Sequence, residues 1–134
     1  MDTQFWLAVA AYVLPTFPLG YFWHLKTFKA KYDALGIYRE DVIIPLGLSS
    51  MIIQGLFFAW AYPKLFSTAS DHWLSSALQF AAIFGVMAWS FLVLPVAAKN
   101  KMNSVADFIK LETAFTAIQF IVAGMLIALV YRVT

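Results

Sequence analysis

Cysteine is absent from the chain. That removes disulfides, thiol catalysis, thiolate metal sites and covalent haem attachment together, along with the thiol oxidoreductases that work on quinones in four-helix membrane domains. Charge is nearly as scarce. Only 12% of the residues are Asp, Glu, Lys or Arg, whereas 63% are hydrophobic, and the mean hydropathy is +0.79. A soluble domain is about a quarter charged and about half apolar. A chain of 134 residues cannot hide this much apolar surface from water, so part of its solvent is lipid. The net charge of +2, with no long basic run, gives no case for a nucleic-acid partner, and none is expected. There is no glycine-rich phosphate loop, no nucleophile elbow and no His-Glu metal motif. Small-xxx-small patterns are also sparse, which argues against glycine-driven dimer packing.

Long charge-free runs are what the chain does have. Thr3 to Leu25, Val42 to Pro63, His72 to Ala98 and Thr113 to Tyr131 contain no Asp, Glu, Lys or Arg. Each can cross ~30 Å of hydrocarbon, which takes ~20 apolar residues. Inside lipid every backbone amide needs a partner in its own segment, so the spans are helices. The expected fold is an all-α membrane protein: four transmembrane helices (about 4–25, 42–63, 73–98 and 111–132) in one domain, 1–134. Short connections make it an up-down-up-down bundle. The opening Met1-Asp2-Thr3-Gln4 has an acid where a secretory signal has Lys or Arg, so the first run reads as a permanent span.

Lys26, Lys29, Lys31 and Arg39 lie between the first two spans, and Lys99, Lys101 and Lys110 between the last two. The positive-inside rule puts both connections in the cytoplasm and both termini outside. Trp6, Trp23, Trp60, Trp73, Tyr62 and Tyr131 fall near span ends, where an aromatic belt belongs. Ser104 with Asp107 has capping-box spacing and starts the last helix in water. Phe28, Tyr32 and Leu35 recur at helical spacing before Gly36, predicting a basic amphipathic extension of the first span, or an interfacial helix, that stops at the glycine. Pro15 and Pro18 predict a kink. Gly55…Tyr62 and Gly124…Tyr131 share one spacing, a faint trace of internal repetition.

No charge lies in the middle of a span, which counts against proton-coupled transport. The remaining polar groups are neutral. Gly47, Ser50 and Gln54 share one face of the second span, and Glu112, Thr116 and Gln119 one face of the fourth. These stripes are expected to face each other or to line a cavity. Interhelical hydrogen bonding, worth ~0.6 kcal/mol each, is the plain reading. The functional one is a ligand site of Gln54, Trp89, Thr116 and Gln119. Trp89 lies deep in the third span, and its indole N–H calls for Ser90 or Gln79 as partner. A second set, Trp23, His24, Asp41 and Glu112, sits at the cytoplasmic rim. A His beside two acids is equipped to move protons; the plainer reading, which the depth favours, is that His24 and Trp23 are ordinary interface residues. His72 lies at the opposite membrane face, so the two histidines cannot ligate one haem or metal. No metal, cofactor or catalytic set is expected.

Several runs carry a family resemblance: Trp6-Leu7-Ala8-Val9; Gly20-Tyr21-Phe22-Trp23-His24; Leu35-Gly36-Ile37-Tyr38-Arg39-Glu40-Asp41; and Ala114-Phe115-Thr116-Ala117-Ile118-Gln119-Phe120, then Gly124. Together they resemble the bacterial four-span membrane-protein family catalogued as domain of unknown function 1761. The resemblance covers nearly the whole chain. Its members carry Tyr after the Trp, where this chain has His24. It implies four spans and a bacterial inner membrane, and brings no reaction, substrate or partner. Function is expected to be that of a non-enzymatic accessory or scaffold protein, associating with itself or a larger membrane complex in the bilayer. A binder or transporter of a small apolar or lipid-like molecule comes next, and an enzyme using the His24, Asp41 and Glu112 rim third.

Overall fold

A computed structural model describes residues 2–132. Asp2 opens the first helix, α1 (Thr3–Phe22), by accepting a hydrogen bond from the Phe5 amide at 2.9 Å. Phe5, Ala8, Tyr12, Thr16 and Gly20 form its buried stripe. The helix runs unbroken through Pro15 and Pro18, then widens into one π-helical turn, Trp23–Thr27, closed by the Phe28 amide on the Trp23 carbonyl at 3.1 Å. The amphipathic extension follows as α2 (Lys29–Leu35). Tyr32 and Leu35 turn inward and are buried; Lys29 and Lys31 stay exposed. Gly36 ends α2 with φ of 74°, the left-handed conformation a glycine adopts without steric cost. Asn103 caps the same end, donating from Nδ2 to the Ala34 carbonyl (2.6 Å) and from its amide to Leu35 (3.0 Å).

The remaining helices are α3 (Ile44–Leu65), α4 (Trp73–Leu92), a short α5 (Leu94–Lys99) and α6 (Val105–Tyr131). Pro95 lacks the amide that would continue α4, and the helix breaks at Val93. Ser104 caps α6, its hydroxyl accepting from the Asp107 amide at 3.2 Å. Four helices are long and apolar enough to cross a bilayer, the first continuing through the π turn to Thr27 and the third spanning Ser70–Lys99. The chain is an all-α membrane protein built as an up-down-up-down bundle.

Packing follows the hairpins. α1 lies along α3 and α6, and α4 lies along α6. α3 and α4 are held apart by rings: Phe58 packs on Phe80 and Phe84, both at 5.1 Å between centroids, and Phe57 meets Phe84 edge-on. The largest buried cluster contains Phe58, Phe80 and Phe84 with Tyr12, Phe120 and Ile127; Phe57 is exposed. A second cluster, around Tyr32, Leu35, Val93, Phe108 and Leu111, seats α2 and α5 against α6. Tyr62 and Tyr131 sit at span ends but face inward. They stack on each other at 5.6 Å, nearly parallel, and Tyr131 donates to the Ala59 carbonyl at 2.6 Å. They are therefore part of the packing of that end and not of an outward aromatic belt.

The two hairpins repeat one plan: long helix, break, short helix, long helix. A single residue offset relates Ala8 to Ala77, Gly55 to Gly124, Ala59 to Ala128 and Tyr62 to Tyr131, and all eight are buried. The equal glycine–tyrosine spacing in the sequence marks this repetition.

Candidate functional site

At the end of the bundle where α1 gives way to α2, four polar side chains form one chain of hydrogen bonds. The Trp23 indole N–H donates to the Tyr32 hydroxyl at 3.0 Å. Tyr32 donates to Glu112 Oε1 at 2.9 Å. His24 Nε2 lies 2.9 Å from the same oxygen, and His24 Nδ1 lies 2.9 Å from the Gly20 carbonyl. The directions are constrained. An indole only donates, so the Tyr32 proton goes to Glu112; a carbonyl only accepts, so Nδ1 carries a proton. Nε2 then faces the oxygen that already accepts from Tyr32, so both ring nitrogens of His24 are engaged. Both side chains are mostly shielded, with 19% and 15% exposure. The π turn matters here because its extra residue per turn sets Trp23 and His24 in register to meet Tyr32 and Glu112.

Tyr38 stacks on Tyr32 at 5.2 Å with the rings 5° apart. Burial, then the neighbouring Glu112 carboxylate, pushes the Tyr32 hydroxyl far above the ordinary phenol range, and the same two causes raise Tyr38. Phe115 meets His24 edge-on at 4.6 Å. Beside this cluster opens a groove of about 690 Å³ between the end of α1, the 37–44 segment and the start of α3. Phe17, Leu25, Ile44, Leu46 and Met51 supply apolar wall, Gly47 faces open space, and His24, Tyr38 and Arg39 stand at its polar end.

Trp23, His24 and Glu112 thus meet, while Asp41 does not join them. It is exposed and bonds Arg39, whose Nε and Nη2 reach it at 2.9 and 3.4 Å. Equal depth put Asp41 at the rim, but the loop carries it outward. Tyr32 takes the place expected of a second acid. The only prior signal for it was its helical spacing with Phe28 and Leu35, which reads as apolar packing.

The deeper set divides. Gln119 Nε2 donates to the Tyr12 hydroxyl at 2.8 Å, and Tyr12 donates to Gln54 Oε1 at 2.5 Å. The two polar stripes therefore do not face each other; α1 stands between them and Tyr12 joins both. Trp89 and Thr116 lie elsewhere, in a second groove of about 400 Å³ between α4 and α6. The indole of Trp89 donates to Thr113 Oγ1 at 2.8 Å, not to Ser90 or Gln79. Ser90 bonds the Met87 carbonyl and Gln79 bonds Ser75. Gln54, Trp89, Thr116 and Gln119 thus share no single cavity. No group of three or more His, Cys, Asp or Glu that could hold a metal occurs among the described residues.

No family model, curated protein or solved structure matches the chain.

What the cluster can do follows from its own groups. With Nδ1 held by a carbonyl and Nε2 by a carboxylate, His24 has no free nitrogen to present to a molecule in the groove. General base or nucleophilic work needs one within hydrogen-bond reach of the reacting atom. The cluster is suited to fixing α2 and one wall of the groove, and the groove to holding a molecule.

Proposed function

We propose that this chain binds a lipid-like amphiphile in the groove beside His24, Tyr38 and Arg39. The observation that carries the reading is the groove itself: apolar along its length and polar at one end. Its volume lies within the roughly 300–1,000 Å³ of ordinary ligand sites. The hydrogen-bonded cluster supports it as a pre-formed wall that needs no rearrangement when a ligand enters. The absence of a free histidine nitrogen favours holding over chemistry. We also propose, on the distribution of lysine and arginine, that the groove end faces the cytoplasm, with both termini outside. Kinship with the domain of unknown function 1761 family and a bacterial inner membrane belong to the same proposal, supported by the motifs quoted above.

Gly47 offers a clean test. A Cβ there meets nothing within 4 Å, so Gly47→Leu puts its side chain into the groove while improving the helix by about 1 kcal/mol. Native mass spectrometry of protein extracted in minimal detergent should show one lipid-sized mass retained by the wild type and lost from Gly47→Leu. Equal occupancy of both proteins would remove the groove as the site. An empty wild type, found alone or as an oligomer, would return the chain to the accessory role.

A further inference from the structure

We infer that the molecule held in this groove carries an anionic, phosphate-type head bound by Tyr38 and Arg39. This rests on the groove being the binding site, and it follows from which polar groups there remain free. His24 spends both nitrogens on Gly20 and Glu112. Glu112 accepts from His24 and Tyr32 through one oxygen, and the Ser50 hydroxyl on the opposite wall donates to the Gly47 carbonyl at 2.8 Å. The Tyr38 hydroxyl has no hydrogen-bond partner among the described residues, and Arg39 bonds only Asp41 there, through Nε and Nη2. Both open groups donate, and a guanidinium has no acceptor to offer.

A head group that suits a donor-only guanidinium, with a hydroxyl beside it that can also donate, is an acceptor. Its charge is argued from the guanidinium, whose planar fork matches phosphate oxygens in pairs. The Arg39–Asp41 pair does not block this. Its side chains are 60% and 80% exposed, and exposed ion pairs hold their partners weakly. Lys26 adds a cation on the same wall, its ammonium 5.8 Å from the Tyr21 ring that lines the groove. This end of the bundle holds seven of the nine Lys and Arg residues and five of the seven acids, so its net charge is positive and the opposite end's is not. A tail is required as well as a head, because the wall behind Tyr38 is Phe17, Leu46 and Met51.

The test uses the full chain in bilayer discs of equal phosphatidylcholine and phosphatidylglycerol, reading the retained lipid by native mass spectrometry. The wild type should retain phosphatidylglycerol in about tenfold preference, because both lipids offer the same phosphate oxygens and only phosphatidylcholine adds a choline cation beside Arg39 and Lys26, a difference of about 1.4 kcal/mol. Arg39→Gln, at an exposed position, should bring the ratio close to one without emptying the groove. Tyr38→Phe, which keeps the ring stack, should weaken retention of both lipids by about tenfold, as for one hydrogen bond to a charged acceptor, and leave their ratio unchanged. Millimolar inorganic phosphate should leave the bound lipid in place. Retention without preference, sensitive to Gly47→Leu, would overturn the head-group assignment and leave the groove standing. No retained lipid in any protein would overturn both. Displacement of lipid by inorganic phosphate would point to a soluble phosphate compound and overturn the lipid.

Discussion

The two hairpins line their grooves with corresponding residues, yet one groove is wider and carries His24, Tyr38 and Arg39, and the other is narrower and almost wholly apolar. The offset that relates Gly55 to Gly124 also relates Phe17 to Val86, Gly20 to Trp89, Ile44 to Thr113, Gly47 to Thr116 and Met51 to Phe120, and all ten line one groove or the other. The decisive pair is Gly20 and Trp89. Where the first hairpin has no side chain, the second has an indole bonded across the groove to Thr113. The first groove then continues into His24, Tyr38 and Arg39, for which the second has no counterpart because α4 breaks at Val93 without a π turn. One backbone plan thus carries a wider groove with charged and phenolic side chains or a narrower one bridged by an indole, according to a few side chains.

The largest expected effect tests the packing of α4 on α6. A Cβ on Gly124 would stand 2.6 Å from the Ala77 carbonyl oxygen, and backbone cannot step aside. On Gly55 the nearest atom is Val13 Cγ2 at 3.1 Å, the end of a side chain. Gly124→Val should cost about 3 kcal/mol through forced separation of α4 and α6. Gly55→Ala should be close to neutral, since the gain of about 1 kcal/mol in helix preference offsets a small shift. Thermal unfolding in mild detergent compares them. Equal losses would mean that the hairpins are packed alike and that the comparison fails at its core.

Next in size is the polar cluster that only the first hairpin has. Glu112→Ala leaves the Tyr32 hydroxyl and His24 without their acceptor in a shielded place, a loss of roughly 2–3 kcal/mol. The readout is hydrogen exchange in α2, which should accelerate there and not in α5, its counterpart in the second hairpin. Alkaline pH probes the same contacts. Tyr32 and Tyr38 both have hydroxyls raised above the ordinary value of 10.0. Their contribution is therefore fully present below pH 10 and is lost as pH rises further, because the unfolded chain ionises first. Stability should hold level up to about pH 9 and fall beyond pH 10, and Tyr32→Phe should soften the fall. A fall of the same steepness in the variant would separate α2 docking from the phenols.

Trp89→Ala asks whether the second groove can be converted. The indole is half-buried, so its removal should cost about 2 kcal/mol, less than a fully enclosed tryptophan. The expected gain is a second, head-group-indifferent lipid in native mass spectrometry, because the polar groups left lining that groove are the uncharged hydroxyls of Thr113 and Thr116. If α4 and α6 simply close over the gap, no second mass appears and the role of Gly20 in keeping the first groove open is weakened.

The bundle was legible in the sequence because lipid imposes a hard rule: charge-free runs of sufficient length must be helices. Gly36 and Ser104 marked their helix ends for equally local reasons, a left-handed turn and an N-cap. His24 and Glu112 could be set at one depth, since depth follows from rise per residue. Contact could not be read that way. Asp41 has the same depth and faces water, because a loop's direction is not periodic. The tyrosines were the main loss. Tyr12 and Tyr32 look apolar in a hydropathy pattern, and only the placement of their hydroxyls against Glu112, Gln54 and Gln119 makes them the centres of both networks. The π turn left no sign either, since widening a helix by one residue needs no special residue at the site.

The smallest effect concerns the bridge between the hairpins. Tyr12 is the group through which α1 holds Gln54 on its own hairpin partner and Gln119 on the other. Tyr12→Phe keeps the ring against Phe58 and removes both bonds. Interhelical hydrogen bonds in membranes average about 0.6 kcal/mol each, so the loss should be about 1 kcal/mol. The amides left behind can turn toward each other, which would reduce it further. A double-mutant cycle with Gln119→Leu isolates the link, and its coupling energy should approach the average for one such bond. Coupling near zero would mean that the hairpins are joined by ring packing alone. The groove and its cluster, which draw residues from α1, α3 and α6, would then owe their geometry to apolar contact and the His24–Glu112 pair.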